Sequence, residues 1–140
     1  MIGLDTNVVL RYLIGDDDVQ SKEARFVIDD VCSPDTPGFI HSVVLAELWW
    51  VMVRKLKIPR SEAIEHMESI LSNPHLTVRS TEAVLQALFW CGKSKIDFAD
   101  GLIAFENRSE GVLKTLSFDK VALETTIMAE LPRNATINLI

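Results

Sequence analysis

MIGLDTNVVL, residues 1–10, is the stretch that decides the class of fold we predict. Its short apolar run Ile2–Leu4 is typical of a buried strand and ends on the polar triplet Asp5–Asn7. A helix from Val8 to Ile14 is expected to follow and to stop near Gly15. The segment thus reads as a strand, a polar turn and a helix, which is the repeating unit of α/β proteins.

The same alternation continues along the rest of the chain. Further strands are predicted at Phe39–His41, Leu76–Val78, Val112–Leu116 and Thr136–Leu139, and further helices at Val19–Val31, Val43–Leu56, Pro59–Leu71, Thr81–Cys91, Asp97–Asn107 and Asp119–Thr126. Ser42 and Thr81 are the predicted N-caps of two of these helices. Short strands that alternate with helices predict a three-layer α/β/α sandwich around a central, mostly parallel sheet.

Length and composition predict a single globular domain over residues 1–140. The chain has 140 residues, of which 48% are hydrophobic and 24% charged, enough for one substantial core. The longest apolar run, Val43–Val53, is interrupted by Glu47 and is far shorter than the roughly 20 residues of a membrane-spanning helix. With no basic and apolar leader at the start, we expect a cytoplasmic protein with no membrane span.

The formal net charge of -6 argues at first against a nucleic-acid partner, because phosphate binding usually requires a basic surface. Carboxylates that share a bound dication are neutralised locally, so part of this charge can belong to a metal site. Net charge alone therefore does not decide between a nucleic-acid enzyme and another kind of protein.

Two aspartates follow predicted strands directly or closely. Asp5 ends the first apolar run, and Asp119 follows the strand Val112–Leu116 through Ser117. In open parallel sheets, ligands collect beyond the carboxyl ends of the strands, so these acids are candidate site residues. The alternative is that each one simply caps the helix after it, because aspartate is a preferred N-cap.

Glu47 is the single charge in the apolar stretch from Ser42 to Val53. An ionised carboxylate on a mostly buried helix requires a partner, a metal ion or a raised pKa. Glu47 is therefore a candidate metal ligand. The alternative, that it marks the one solvated stripe of the helix, stays open.

Asp97 and Asp100 stand three residues apart and fall on one side of the first turn of a predicted helix. They can therefore share one site. The alternative is a capping arrangement, which accounts for Asp97 well and for the shorter reach of Asp100 less well.

A group of four or five carboxylates without a histidine or cysteine pattern suits a hard cation such as Mg²⁺ or Mn²⁺. Such an ion can activate a water molecule and stabilise charge on phosphodiester oxygens, which favours phosphoryl chemistry. The hydroxyl groups of Thr6 and Ser117 are placed in the sequence to orient the acids or that water.

Four motifs, in their order and spacing, resemble the PIN-domain ribonucleases, and among them the VapC-type toxins of toxin–antitoxin pairs. These motifs are Leu4–Asn7, Glu47 within its apolar helix, Asp97–Ala104 and Leu116–Lys120. The resemblance spans essentially the whole chain. It implies a set of catalytic acids that bind the metal, which are Asp5, Glu47, Asp100 and Asp119. It also implies that Asp97 is an auxiliary acid. The supporting polar groups that it implies are Thr6, Asn7 and Ser117. It also implies an RNA substrate, a homodimer and a partner antitoxin that blocks the active-site groove. Ser117 stands where threonine is commoner, and a hydroxyl group is retained.

Basic residues near the predicted acids are candidate contacts for RNA phosphates. They lie at Arg54, Lys55, Lys57 and Arg60, at Lys93 and Lys95, and, as a weaker candidate, at Arg11. The alternative is that they are ordinary solvated charges of turns. The soft and aromatic side chains are either core or part of an interface with a partner; these are Trp49, Trp50, Met52, Phe89 and Trp90.

Two other classes of protein can also carry an aspartate after the first strand. A haloacid-dehalogenase-like phosphatase would need a second acid two residues after Asp5, where this chain has Asn7. A non-catalytic, metal-binding interaction module of receiver type would need its acids together near the first strand, whereas these acids are dispersed. A metal-dependent ribonuclease is therefore the function that we predict.

Overall fold

The structure is a computed structural model that describes residues 1–132. Its strands are β1 (Ile2–Gly3), β2 (Gly38–Ile40) and β3 (Leu76–Val78), and its α-helices are α1 (Thr6–Ile14), α2 (Asp18–Arg25), α3 (Ser42–Trp50), α4 (Arg60–Ser72), α5 (Thr81–Lys93), α6 (Phe98–Ser109) and α7 (Lys120–Leu123). The predicted strand at Thr136–Leu139 lies outside the described residues.

The three strands form a parallel sheet in the order β1-β2-β3. Ile2 is paired with Gly38, and Gly38 is paired with Leu76. Helices flank the sheet, so the predicted mixed α/β class with a parallel sheet is confirmed. The first strand is less buried than predicted, since Ile2 is 41% exposed and only Leu4, at 6%, joins the core. This follows from its position, because β1 pairs with β2 alone within residues 1–132.

Two predicted helices are continuous but change their winding. α2 runs on as a π-helical segment, Phe26–Val31, and α3 runs on as a second one, Val51–Lys55. Both predicted N-caps are wrong by one residue. His41 caps α3, because its Nδ1 accepts a hydrogen bond from the Val43 N–H at 3.1 Å.

Ser80, in a left-handed conformation with φ 57°, precedes α5 at the N-cap position. Thr81 is instead the first helical residue, and its hydroxyl donates to the Val78 carbonyl at 3.2 Å. A side chain that bonds backward to the end of β3 is not available to cap the helix in front of it.

The predicted strand Val112–Leu116 is wrong in extent. Leu116 alone forms a β-bridge, in parallel with Ala129. Leu113 is 82% exposed, so the apolar run does not enter the core and has no burial to drive its pairing. The helix predicted at Asp119–Thr126 is shorter than predicted, because it ends at Leu123.

The core lies between the sheet and the helices that cross it. Its largest buried side chains include Ile40 of β2, Trp49 of α3 and Phe98 of α6. α3 packs against both α1 and α6, and α5 packs closely along α6. Cys32 and Cys91 are buried free thiols. Within residues 1–132, the helices are all too short or too polar to cross a membrane.

Candidate active site

Asp5 lies directly beyond the carboxyl end of β1. The Leu4 N–H donates to the Phe39 carbonyl at 2.9 Å, which carries the ladder between β1 and β2 up to Asp5. Asp5 occupies the N-cap position of α1, yet its side chain makes no capping hydrogen bond. The exposed Asp5 carboxylate is therefore available to a ligand. Thr6 beside it is buried and Asn7 is exposed.

Asp97 holds the N-cap position of α6, and its side chain also does not cap the helix. Its Oδ1 instead accepts a hydrogen bond from the indole Nε1 of Trp49 at 3.0 Å. The capping alternative for Asp97 is thus correct for its backbone position and wrong for its carboxylate. Because Trp49 belongs to α3, this bond joins the two elements that carry Glu47 and Asp100.

Asp100 is half-buried in the first turn of α6. Burial raises the pKa of its carboxyl group, and the nearby negative charges of Asp97 and Asp119 raise it further. The structure therefore brings these three acids close enough to interact electrostatically, although Asp119 comes from a separate segment. Perturbed acids grouped in this way are typical of functional sites.

Asp119 does cap a helix, as the alternative interpretation expected. Its Oδ1 accepts from the N–H groups of Val121 at 2.9 Å and Ala122 at 3.1 Å at the start of α7. The Ser117 hydroxyl oxygen accepts from the Asp119 N–H at 2.9 Å, which fixes the turn before the helix. The cap leaves Oδ2 of Asp119 without a hydrogen-bond donor within residues 1–132, so capping and metal binding are compatible.

Glu47 is exposed rather than buried, so its carboxylate needs no partner on grounds of burial. It shares a stripe of α3 with Val43 and Trp50, which are 67% and 55% exposed. The solvated-stripe alternative therefore describes its environment. Its helix nevertheless lies between α1, which begins after Asp5, and α6, which carries Asp100.

The candidate acids fit a divalent cation in their chemistry. All are oxygen donors, and Asp100 sits where two like charges and burial oppose its ionised form, a penalty that a cation would relieve. In the arrangement of residues 1–132, however, no three side chains of His, Cys, Asp or Glu are grouped closely enough to hold an ion. Of these acids, Asp97 and Asp119 lie near enough to Asp100 to raise the pKa of its carboxyl group.

The basic candidates differ in how free they are. Arg54, Lys55 and Lys95 are exposed. Lys93 is also exposed, and its Nζ lies 5.4 Å from the ring centroid of Phe89 and 5.6 Å from that of its neighbour Trp90. These four side chains remain compatible with phosphate contacts.

Arg11 and Arg60 are already engaged within the fold. Arg11 pairs with Asp16 at 2.5 Å and donates to Gln20 at 3.0 Å, beside a pocket of about 280 Å³ that Asn7 also lines. Arg60 is half-buried and donates to backbone carbonyls between α5 and α6. These bonds favour a structural role for Arg60, and its predicted contact with phosphate stays a prediction.

The aromatic and soft side chains divide between the core and the surface. Trp49 and Met52 are buried, whereas Trp50 and Phe89 are 55% and 58% exposed and Trp90 is half-buried. The core interpretation is correct for the first two. The exposed rings remain candidates for an interface.

Sequence reasoning did not predict the contacts that Trp49 and Arg60 make around Asp97. A signal for Trp49 existed, because a buried indole N–H usually needs an acceptor, and the carboxylates are the strongest acceptors of the chain. No comparable signal marks Arg60, since the carbonyls that it contacts are backbone groups, which every residue carries.

The comparisons with known proteins identify the family of the chain. The family model of the PIN domain matches residues 2–127. No curated protein matches the chain. PIN domains are in general metal-dependent nucleases that act on RNA or DNA, which favours a nuclease over a phosphatase or a non-catalytic module. From β1 to beyond α7, then, this chain belongs to the PIN domain family.

Proposed function

We propose that the chain is a single-domain endoribonuclease, spanning residues 1–140, that hydrolyses RNA phosphodiester bonds with Mg²⁺. Mn²⁺ is a possible substitute for Mg²⁺, because both are hard cations that prefer oxygen ligands. The observation that carries the proposal is the match of the PIN domain family to residues 2–127. It is supported by the position of Asp97 and Asp119 near Asp100, whose pKa they raise.

Each acid has a role in this proposal. Asp5, Glu47, Asp100 and Asp119 would hold the metal directly or through water, and Asp97 would be an auxiliary acid. Thr6, Asn7 and Ser117 would support them. When bound, the cation supplies an activated water and neutralises charge on the phosphodiester oxygens.

The chain's own residues prepare the site for this chemistry. The hydrogen bonds from α7 hold Oδ1 of Asp119, and the Trp49 indole holds Oδ1 of Asp97, so each of these acids keeps one oxygen for a ligand. The exposed Asp5 at the end of β1 is open to solvent and hence to substrate. An acid that already has one oxygen held loses less conformational entropy when a ligand binds.

RNA is the proposed substrate, and its phosphates would be contacted by exposed basic side chains of the protein. Lys93 and Lys95 lie at the end of α5 and in the loop before Asp97, and Arg54 and Lys55 end the segment that continues α3. Contacts of this kind add affinity without base specificity. Arg11 remains a weak contributor, because Asp16 already neutralises it.

The proposed biological role is that of the toxin of a toxin–antitoxin pair in the cytoplasm. This role includes a homodimer and a cognate antitoxin that blocks the groove. Support comes from the resemblance of the acid motifs to the VapC-type toxins, and from large apolar side chains left exposed at Val43, Trp50 and Phe89.

The deciding experiment is cleavage of matched pools of RNA, single-stranded DNA and duplex DNA by the purified chain. Each pool is incubated with Mg²⁺, with Mn²⁺ or with chelator, and with Asp5→Asn and Asp100→Asn variants in parallel. Metal-dependent cleavage of RNA alone, lost in both variants, supports the proposal. Cleavage of DNA alone would overturn the ribonuclease assignment, and cleavage that survives both variants would overturn the site.

The toxin role needs its own test. Expression of the wild-type chain in a bacterial host is expected to arrest growth, and the Asp100→Asn variant at equal protein level is expected not to. Arrest by both forms would show that toxicity does not depend on the acids. Normal growth with the active wild-type enzyme would argue against a toxin.

A further inference from the structure

Arg60, the first residue of α4, reaches across to the loop that leads into the candidate site. Its Nε donates to the Cys91 carbonyl at 3.3 Å, and its Nη2 donates to the carbonyls of Ser94, at 3.4 Å, and Ile96. The last carbonyls of a helix have no partner inside it and carry partial negative charge. One guanidinium group therefore contacts the C-terminal end of α5 and holds the backbone directly before Asp97.

Trp49 holds the side chain that follows this loop. It is 2% exposed, and its indole N–H donates to Asp97 Oδ1 at 3.0 Å. Its ring also packs on Phe98, with 5.6 Å between ring centroids, and under the guanidinium of Arg60, 5.5 Å from the ring centroid. A single indole therefore contacts both the acid and the arginine that fixes the acid's backbone.

The two contacts constrain Asp97 more tightly than an ordinary helix start would. An aspartate at an N-cap position normally turns its carboxylate onto the backbone N–H groups of its own helix. Asp97 makes no such bond, because its Oδ1 is taken by Trp49. Its carboxylate is thus held by α3, while its backbone carbonyl accepts from the Gly101 N–H of α6 at 3.1 Å.

We propose that Trp49 and Arg60 are positioning residues, which set the place of the Asp97 carboxylate and of the first turn of α6 that carries Asp100. This inference rests on the proposed function, because it concerns the acids assigned to the metal. In this proposal neither residue contacts the substrate or the ion, because Trp49 is buried and Arg60 donates to backbone carbonyls. Hydrogen-bond partners of metal-binding groups act in this way by fixing the orientation of the ligands.

The main test measures Mn²⁺ binding to the purified chain by isothermal titration calorimetry, without substrate. Trp49→Phe keeps an aromatic ring beside Phe98 and removes the N–H donor. Its Kd for Mn²⁺ is expected to rise roughly tenfold, the lower end of the usual effect of such partners. Trp50→Phe, which alters the exposed neighbouring indole, is the control and should bind Mn²⁺ as the wild type does.

A double-mutant cycle separates positioning from a general loss of structure. If Trp49 acts through Asp97, the double variant Trp49→Phe/Asp97→Ala should bind Mn²⁺ no more weakly than Asp97→Ala alone. Two independent structural defects would instead multiply their effects on Kd. If the two substitutions multiply their effects on Kd, so that their effects on the binding free energy add, the role of Trp49 as a positioning residue would be overturned.

Arg60 is tested by Arg60→Lys, which keeps the charge and loses the fork of donors. Amide hydrogen exchange over residues 92–97 is expected to speed up several-fold, with a weaker affinity for Mn²⁺. Arg25→Lys, at an exposed position at the end of α2, is the matched control. If Trp49→Phe fails to fold, the Arg60→Lys comparison decides, and unchanged exchange together with unchanged affinity would overturn the inference.

The two proposals fail in different ways. A folded wild-type chain that binds no Mn²⁺ would overturn the proposed metal-dependent function, and this inference with it. A wild-type chain that binds Mn²⁺, alongside Trp49→Phe and Arg60→Lys variants with the same Kd, would overturn this inference alone.

Discussion

Gly101 of α6 lies against Ala87 of α5, so closely that a Cβ atom added at position 101 would come within 3.3 Å of both the Cα and the Cβ of Ala87. A contact this close lets the two helices pack backbone to backbone. Gly101 directly follows Asp100, so this contact fixes the first turn of α6 against α5.

Gly101→Val is therefore expected to destabilise the protein. Two further methyl groups would meet the Ala87 backbone, and overpacking of this kind costs roughly 1–3 kcal/mol. Thermal unfolding in chelator measures the loss. Gly92→Ala is the control, because a Cβ atom there meets nothing within 4 Å, and its Tm should stay level or rise. An unchanged Tm for Gly101→Val would mean that the helices separate without cost.

Asp119 is expected to show two separable roles. Asp119→Asn keeps an oxygen for the N–H groups of Val121 and Ala122, so its Tm should match the wild type while RNA cleavage is lost. Asp119→Ala should lose cleavage and also about 1 kcal/mol of stability, because the cap is gone. Cleavage assays and thermal unfolding are run on both variants. An Asn variant that cleaves RNA at the wild-type rate would remove Asp119 from the metal site.

Asp100 should make the metal-free protein less stable as pH rises. Its pKa is raised in the folded state by burial and by Asp97 and Asp119, so the folded state favours its neutral form. The stability that the neutral form contributes is lost as pH rises through that pKa. At pH 7, Asp100→Asn in chelator should unfold roughly 1–3 °C above the wild type, since a partly exposed group contributes less than about 1 kcal/mol.

The difference between the two proteins should shrink as the pH falls to about 3, where Asp100 is protonated in the folded and unfolded states alike. Added Mn²⁺ should reverse the order at pH 7, because it stabilises only the protein with the intact acid. Differential scanning fluorimetry over a pH series measures both effects. A Tm difference independent of pH would contradict the electrostatic explanation.

Lys93 is expected to contribute to RNA binding through charge. In an Asp100→Asn background, which binds without cleaving, Lys93→Ala should weaken the affinity for single-stranded RNA and reduce the slope of log K against log salt by about 0.7. Arg108→Ala is the control, because Arg108 lies at the far end of α6 and packs on Phe105. An equal change in both slopes would indicate a general effect of net charge.

Much of the architecture was predictable from local patterns. β2 and β3 begin or end within a residue of the predicted strands, and the helices that follow Asp5, Ser80 and Asp97 were placed correctly to within a few residues. The failures came where burial did not follow apolar composition. Val112 and Leu113 look like a strand but are exposed, and no described segment pairs with them beyond the bridge at Leu116.

The sequence predicted a set of candidate site residues and not the contacts that they make. The resemblance named the acids, and their family is the one that matches the chain. The exposure of Glu47, the inward turn of Arg60 and the bond between Trp49 and Asp97 were not predictable. In each case the outcome depends on which distant helix packs beside the residue.

The sequence by itself determined the order of strands and helices and the positions of the acids along them, because periodicity and turn chemistry act over a few neighbouring residues. Only the tertiary structure decided what each acid does with its oxygens. Asp119 keeps the local bonds of a cap, while Asp97 exchanges them for an indole 48 positions away. A hydrogen bond over that separation exists only once α3 and α6 have packed, since packing supplies the short distance and the exclusion of water that make it favourable.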